Sequence, residues 1–424
     1  MKQQPLRYSI VAALVAACAP AAHAIDVTAG DWKLSFDGNV NAHYIYSSCQ
    51  AFDNAASVAG GLACIGSNDG QKSSSSVSNG LLPAALSFSA ATTQAGYDIG
   101  VTFGLYPGIS TNDGGSPNIA NTSTTRNTAL GTTGLDVRQV FLTFGNSQMG
   151  TVMAGRNIGL FGADAILNDM TLQGVGAGNG NYAAPTNTSL GSIGLGYIYT
   201  DWLAQIDYTT VDFSGLKFTI GIFDPVESLT DPGGATPKST PGFHGKVAYK
   251  MGDLYLSGTF LVEKQSINKT AATGIPDQRI DYTGTAFDIG GKYDFAGFEV
   301  AAWYYHGDGV GTTGLFVNAA VENPASPAYG NKRKSDGFLA QLTYKIPGTN
   351  TKVGVNYGQS NLDQADNEVN PILVHKNDKV TGGVYQQLTP NMLLLGEISH
   401  LEAENQVGAK NSSTNFNVGA FLSF

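Results

Sequence analysis

The chain has 424 residues, of which 42% are hydrophobic and only 13% are charged. Its formal net charge of −10 argues against nucleic acid as a partner, because DNA and RNA are themselves polyanions. No run of 18 uninterrupted apolar residues occurs beyond the N-terminal region, which argues against a helical membrane protein. The length allows two or three ordinary domains, but an all-β barrel of this size forms a single domain.

The first 24 residues have the features of a secretory signal peptide. Positive charges precede an apolar run over residues 10–17, and residues 22–24 form a small-residue cleavage site. We therefore expect a mature chain of residues 25–424, exported from the cytoplasm. An alternative interpretation takes Cys18 as the lipidated cysteine of a lipoprotein.

Two cysteines, Cys49 and Cys64, remain in the exported part of the chain. An even pair in an exported protein predicts a disulfide that closes a surface loop. The chain-entropy estimate for a loop of this size is about 3 kcal/mol. Two free thiols are the alternative, and a metal site is disfavoured because no histidine cluster lies beside the pair. No calcium loop, zinc spacing or dinucleotide-binding glycine pattern indicates a cofactor.

Beyond residue 30 the dominant pattern is an alternation of apolar and polar residues with a period of two. In residues 32–46 the even positions are largely apolar and the odd positions are polar. A strand with two such faces separates an apolar phase from an aqueous one. A soluble sandwich also alternates, so this pattern alone leaves both folds open. The pattern recurs in segments that begin at Leu216, Leu254, Phe298, Val353 and Phe416.

The connections between these segments favour a barrel. Short links such as 294–297 and 347–350 alternate with long polar ones such as 308–333. Short turns on one side and long loops on the other are typical of an outer-membrane barrel. The sequence therefore predicts an all-β, antiparallel transmembrane barrel of about sixteen strands, each of roughly ten residues. The strand near Trp32 is expected to pair with the strand that ends at Phe424.

One stretch breaks the strand pattern. Two alternating segments, 137–144 and 150–155, are followed by about thirty residues rich in glycine, asparagine and alanine, a length that is unusual for a structureless connection in a compact domain. We interpret residues 157–188 as a loop that folds into the lumen of the barrel and narrows it.

These features resemble the trimeric general porins of Gram-negative bacteria. The resemblance depends on residues 32–46, on residues 137–144 with 150–157, on residues 206–216, and on a terminal strand that closes on Phe424. It implies a barrel of about sixteen strands in the outer membrane, a homotrimer, and passive diffusion of ions and small hydrophilic solutes. It also implies contact with the lipid bilayer and lipopolysaccharide, and it makes Phe424 the signal read by the outer-membrane assembly machinery.

The resemblance further implies a constriction in which carboxylates of the inward loop face basic residues of the wall. Arg156 matches the basic residue at the start of that loop, and Asp164 and Asp169 are the carboxylates available within it. Strict alternation places Arg156 on the apolar side of its strand, so that it needs a bend at Gly155 to reach the lumen. The acidic loop-tip segment found in many relatives is absent from residues 171–176.

Charges on the polar side of the strands are expected to line the lumen and to influence ion preference. The two loop aspartates favour a weak preference for cations, with solvation of the loop as their alternative role. By parity of position, the lumen-lining charges are Lys33, Asp37, Lys217, Glu263, Glu299 and Lys352.

Three other functions remain open from the sequence. A barrel enzyme needs a nucleophile and a base, and we expect none because the histidines are scattered and show no triad spacing. A substrate-specific channel for small aromatic or aliphatic acids is the main alternative, because the loop carries apolar residues such as Phe161 and Met170. The long outer loops also suit an adhesin.

Overall fold

The computed structural model describes most of the chain beyond the predicted signal peptide, which lies outside the described residues together with part of the predicted inward loop. No helix in this part of the chain is long and apolar enough to cross a membrane. The described residues are 25–50, 58–64, 73–109, 135–178, 188–226, 235–237, 240–269, 278–323 and 325–424.

The strands form one continuous antiparallel sheet that closes into a barrel of sixteen strands, and three short strands (β1, β3 and β10) extend it. A single short helix, α1, spans Ala163–Leu167 in the described part. The strands are β1 (Ile25–Ala29), β2 (Trp32–Gln50), β3 (Ser73–Ser78), β4 (Ala85–Gln94), β5 (Tyr97–Pro107), β6 (Leu135–Asn146), β7 (Gly150–Ile158), β8 (Trp202–Thr209), β9 (Leu216–Phe223), β10 (Ala235–Pro237), β11 (Gly242–Met251), β12 (Leu254–Lys269), β13 (Gln278–Phe295), β14 (Phe298–Asp308), β15 (Lys334–Lys345), β16 (Thr351–Leu362), β17 (Val374–Gln387), β18 (Met392–Asn405) and β19 (Lys410–Ser423).

The barrel closes where the first long strand meets the last. Strand β19 pairs antiparallel with β2, and β1 continues the same line along β2 as far as Trp32. The backbones of Gly38 and Phe424 exchange two hydrogen bonds of 3.0 and 3.1 Å. Closure leaves no open edge of the barrel exposed to lipid, and it confirms the predicted pairing of the Trp32 strand with the Phe424 strand.

The distribution of side chains is inverted relative to a soluble protein. Val40 is 55% exposed, whereas its neighbour Asn41 is 1% exposed; the same contrast separates Ile398 at 57% from Ser399 at 1%. Burial of apolar surface is the main favourable term when a protein folds in water. An apolar band on the outside and a polar wall on the inside therefore require a lipid environment, which excludes the soluble sandwich.

Short turns join the strands at one end of the barrel, as predicted. The link over 294–297 contains a tight turn in which Ala296 and Gly297 have positive φ angles of 49° and 85°. A two-residue hairpin turn whose backbone twist matches that of the flanking strands requires positive φ angles at both central residues. Aromatic rings surround this turn; the ring centroids of Phe298 and Tyr344 lie 4.3 Å apart. Such rings form the interfacial girdle of a membrane barrel.

The apolar core lies inside the barrel, where connecting segments fold back against the wall. Ile166 and Leu172, from the segment between β7 and β8, pack with Trp303 and Leu339 of the wall. Phe316, from the segment between β14 and β15, is fully buried in a second cluster. The lumen is therefore narrowed by more than the single loop that the sequence predicted.

Candidate functional site

The main narrowing element is the segment between β7 and β8, residues 159–201, which we call the constriction loop. Its described parts are residues 159–178 and 188–201. The predicted bounds were 157–188, but the ladder between β7 and β8 continues through Asn157 and Ile158. The loop therefore starts two residues later and extends thirteen residues further than the sequence suggested.

Polar side chains of the barrel wall hold the backbone of the constriction loop. Asp288 accepts a hydrogen bond from the N–H of Gly162 at 2.6 Å. The Gln341 side chain accepts one from the N–H of Met170 at 2.9 Å and donates one to the carbonyl of Asn168 at 2.6 Å. A buried loop needs such partners because its backbone groups have left water. The wall therefore fixes the position of the loop.

Asp164 lies on α1 and points at the wall. Lys246 Nζ lies 2.6 Å from one carboxylate oxygen, and the Tyr255 hydroxyl donates to the other at 2.8 Å. Burial raises the pKa of Asp164, but the Lys246 ammonium outweighs it and holds the pKa below its usual value. The carboxylate is therefore ionised and locally compensated, so its field in the lumen is weak.

Asp169 is an internal anchor of the constriction loop. Its side chain is 3% exposed. One oxygen accepts hydrogen bonds from the backbone N–H and hydroxyl of Thr171 at 2.9 and 2.8 Å. The Tyr197 hydroxyl donates to the other oxygen at 2.9 Å, and wall residue Asn356 lies 3.2 Å away. Burial, and then the nearby Asp169 charge, raise the pKa of Tyr197 well above its usual value.

The strand register places Arg156 on the outward side of β7. Its ladder partners are Val140 and Ala204, and Val140 is 38% exposed on the outward face. Gly155 has a φ of 132°, yet the ladder continues through Arg156 to Ile158 without turning the strand over. The register gives no support for Arg156 in the constriction, and that assignment stays a prediction.

The lumen-facing arginine of this wall is Arg138, which sequence reasoning missed. The ladder of β5 and β6 shifts register at Gly104 and Leu105, whose partners are Gln139 and Val137. Arg138 is the extra residue of this bulge, and it is buried together with Gln139. Bulges redirect side chains in this way. A strict period of two cannot reveal the redirection.

Aromatic rings and one carboxylate surround Arg138. Its Nε donates to Asp136 at 2.7 Å, and its guanidinium carbon lies 5.1 Å from the ring centroid of Tyr106 and 5.8 Å from that of Trp202. One terminal nitrogen, Nη2, has no hydrogen-bond partner among the described residues. Arg138 is thus a buried cation with an unused donor edge.

Three of the predicted lumen charges lie near the short-turn end of the barrel. A cavity of about 570 Å³ opens there, lined by β2 and by strands from β4 to β9. Lys33 and Lys217 line it, each with an aspartate within 4 Å. Asp37 lies two residues after Ser35 on β2, so it points to the same inward side. It pairs with Ser87 of β4.

The other three predicted lumen charges have partners on neighbouring strands or segments. Glu263 is 1% exposed and accepts a hydrogen bond from the N–H of Val226 at 2.9 Å. Glu299 lies 3.5 Å from Lys292. Lys292 therefore compensates the charge of Glu299 locally. In addition, Lys352 lies 5.3 Å from the ring centroid of Tyr385.

A second segment covers the constriction loop at the long-loop end. Cys49 and Cys64 form a disulfide, as predicted, which ties residues 58–64 to the end of β2. The N–H of Leu62 donates to Asn377 of the wall at 2.9 Å, and Leu62 packs in one apolar cluster with Ala177 of the constriction loop. The disulfide therefore holds this segment inside the mouth of the barrel.

A third segment, residues 309–333, is fixed by a buried ion pair. Arg333 binds both oxygens of Glu368 at 2.9 and 2.6 Å and donates to the carbonyl of Asn318 at 3.1 Å. Burial raises the pKa of Glu368, but the hydrogen bond from Arg333 outweighs it, so the pKa lies below its usual value. The pair joins two connections of the long-loop end.

The five histidines among the described residues lie on five different strands, β2, β11, β14, β17 and β18. His244 lies 2.8 Å from Asp207, and in the described part of the chain no serine or cysteine hydrogen-bonds to this pair. No group of three histidine, cysteine, aspartate or glutamate side chains among the described residues is placed to hold a metal ion. The described interior is a narrowed passage whose wall carries polar side chains.

The comparisons with known proteins agree with this geometry. The family model of Gram-negative porins matches residues 11–406. No curated protein sequence matches the chain. Similar solved structures include the outer membrane channel DcaP of Acinetobacter baumannii, with 15% identity, coverage of 94% of this chain and 99% of that chain, and a TM-score of 0.65.

Two further structures are similar. The anion-selective porin from Comamonas acidovorans has 15% identity, 93% and 100% coverage, and a TM-score of 0.60. OmpF of Salmonella typhi, in complex with daunomycin, has 13% identity, 94% and 100% coverage, and a TM-score of 0.54. At these identities the structures show a shared barrel fold, and the family match spans nearly the whole chain. The chain therefore belongs to the Gram-negative porin family and is an outer-membrane channel for passive diffusion.

Proposed function

We propose that this porin is a general channel, which passes ions and small hydrophilic solutes down their gradients as a homotrimer and without catalysis. The observation that carries the proposal is the lumen wall, which presents polar side chains along the strands and opens into the 570 Å³ cavity. Contacts with lipopolysaccharide, and recognition of Phe424 by the assembly machinery, are part of the same proposal and rest on the family.

We place the electrostatic control of the passage at the pair of Asp164 and Lys246. Their side chains join the constriction loop to the wall at 2.6 Å, and both charges lie inside the barrel. Asp169 is proposed to contribute by fixing the loop rather than by facing solutes, because four hydrogen bonds already occupy its oxygens. Balanced charge predicts weak ion selectivity.

Breaking the Asp164–Lys246 pair from either side tests this assignment. Asp164→Asn leaves the ammonium uncompensated and should shift the channel towards anions, whereas Lys246→Met should shift it towards cations. A unit charge about 8 Å from a passing ion in water contributes about 0.5 kcal/mol, or roughly a twofold change in the permeability ratio. Reversal potentials in a KCl gradient across a planar bilayer measure both shifts. If both variants shifted the reversal potential in the same direction, or if neither shifted it, the Asp164–Lys246 pair would not control ion passage.

A channel specific for small organic acids is the second candidate, and Arg138 is the observation that favours it. Its unused Nη2 donor and the neighbouring Tyr106 and Trp202 rings would suit a carboxylate attached to an apolar body. However, Asp136 already compensates the charge of Arg138 at 2.7 Å. The two candidates differ in one observable, because only a specific channel saturates with its solute.

A further inference from the structure

The tip of the constriction loop is bound by one wall carboxylate. Glu397 on β18 is 2% exposed and accepts hydrogen bonds from the backbone N–H groups of Val175 at 2.9 Å and Gly176 at 2.8 Å. Both bonds go to the same oxygen, which also accepts from Asn417 at 3.1 Å. The Tyr385 hydroxyl donates to the other oxygen at 2.7 Å. Four donors therefore converge on this one carboxylate.

A glycine in the loop allows the backbone to approach this carboxylate closely. A Cβ atom added at Gly174 would collide with the Glu397 carboxylate, so only glycine allows the approach. The next contact fixes the same tip, because Ser399, two residues along β18, donates to the carbonyl of Gly176 at 2.9 Å. Strand β18 thus binds both an N–H and the carbonyl of one loop residue.

A buried lysine lies on β17, the strand that pairs with β18. Lys379 on β17 is 1% exposed, and its Nζ has no hydrogen-bond partner within the described ranges. The carboxylates of Asp169 and Glu397 are the charges that act on it. An ammonium that is buried without hydrogen bonds is costly by itself. The hydrogen bonds of Glu397 and Ser399, rather than an ion pair, therefore account for the contact between the loop tip and β18.

We propose that Glu397 is a positioning residue that sets the width of the passage by holding the tip of the constriction loop against β18. This inference rests on the proposed channel function. Removing the carboxylate charge weakens every donor interaction at once, because the neutral amide oxygen of a glutamine is a weaker acceptor than a carboxylate oxygen. The tip should then leave the wall and change the size limit for solutes.

The test compares Glu397→Gln with Glu402→Gln, which makes the same change on the same strand. Glu402 lies near the long-loop end of β18 and pairs with the exposed Lys410 at 2.7 Å. Both proteins are refolded and recorded in planar bilayers, and uptake of sugars of increasing size is followed by swelling of vesicles. Heat-dependent migration in gels shows whether each barrel has folded.

The loss of charge assistance in the hydrogen bonds from Val175, Gly176 and Asn417 should raise the population of the detached tip at least tenfold. We expect Glu397→Gln to show frequent conductance substates and a changed sugar size limit, while Glu402→Gln matches wild type. Tyr385→Phe, which removes one donor and keeps the packing, should give a smaller effect of the same kind, and it replaces Glu397→Gln as the test variant if that barrel fails to fold. If the folded test variant showed the same conductance substates and the same sugar size limit as wild type, the inference would be overturned. Absence of current through the wild-type protein would instead contradict the proposed channel function.

Discussion

In Arg333→Met, protease should cleave residues 309–333 roughly 150 to 5,000 times faster than in wild type. The substitution leaves Glu368 buried without its partner, and breaking a buried pair in this way costs about 3–5 kcal/mol. Since cleavage of a briefly opened segment follows its open population, that cost appears directly in the rate. Limited proteolysis of the refolded protein, read by mass spectrometry, measures it.

An exposed ion pair serves as the control. Lys410→Met removes a lysine whose side chain is 48% exposed, although it lies 2.7 Å from Glu402. Exposed pairs contribute about 0–1 kcal/mol, so this variant should be cleaved at nearly the wild-type rate. Equal protection in Arg333→Met and Lys410→Met would show that the Arg333–Glu368 pair does not hold the segment.

The same ion pair makes the segment sensitive to acid. The pKa of Glu368 is lowered in the folded protein, so the carboxylate contributes stability above its usual value of 4.5 and loses it as pH falls through the lowered folded value. Cleavage of wild type by an acid-active protease should therefore accelerate below about pH 4.5. In Arg333→Met this contribution is already absent, so its cleavage should depend less on pH.

The second large effect concerns the lipid-facing surface. Leu142 on β6 is 48% exposed on the outward face, and the next residue, Thr143, lines the inner cavity. Leu142→Arg should lower the free energy of unfolding by about 2–4 kcal/mol, because an arginine near the centre of the bilayer loses its hydration. Urea titration of the protein in lipid vesicles, followed by tryptophan fluorescence, gives the value.

The control for Leu142→Arg places the same charge one residue further along. Thr143→Arg directs the guanidinium into the water of the cavity and should change the free energy of unfolding by under about 1 kcal/mol. A larger loss in Thr143→Arg than in Leu142→Arg would mean that the two faces of β6 had been assigned the wrong way round.

The barrel could be predicted from sequence because its signals are local and repeated. The alternation in residues 32–46 and at Phe416 separates lipid from water at every step, and the short link at 294–297 marks one end of the barrel. The same regularity predicted the pairing that closes the barrel at Phe424. The disulfide followed from the compartment, since Cys49 and Cys64 form an even pair in an exported chain.

The interior was harder to predict because it depends on contacts between distant residues. A period of two cannot show the bulge that turns Arg138 inward. The same period places Arg156 on the outward side of β7, in agreement with the strand register. Glu397 looks like any other inward charge in the sequence. Its role depends on Val175 and Gly176, more than two hundred residues away. The sequence predicts outer loops for the segments 58–64 and 309–333. They lie inside the barrel because of contacts with distant residues, such as Asn377 and Glu368, which a local pattern cannot show.

The most direct test of the account is the current through single wild-type channels in a planar bilayer, recorded in increasing KCl and then with added benzoate. A passive, general porin should give stepwise openings, a current that rises in proportion to salt concentration, and no saturable block by benzoate. A current that saturates, or that benzoate blocks with a defined affinity, would support the acid-specific channel instead. Absence of any current from folded protein would contradict the account as a whole.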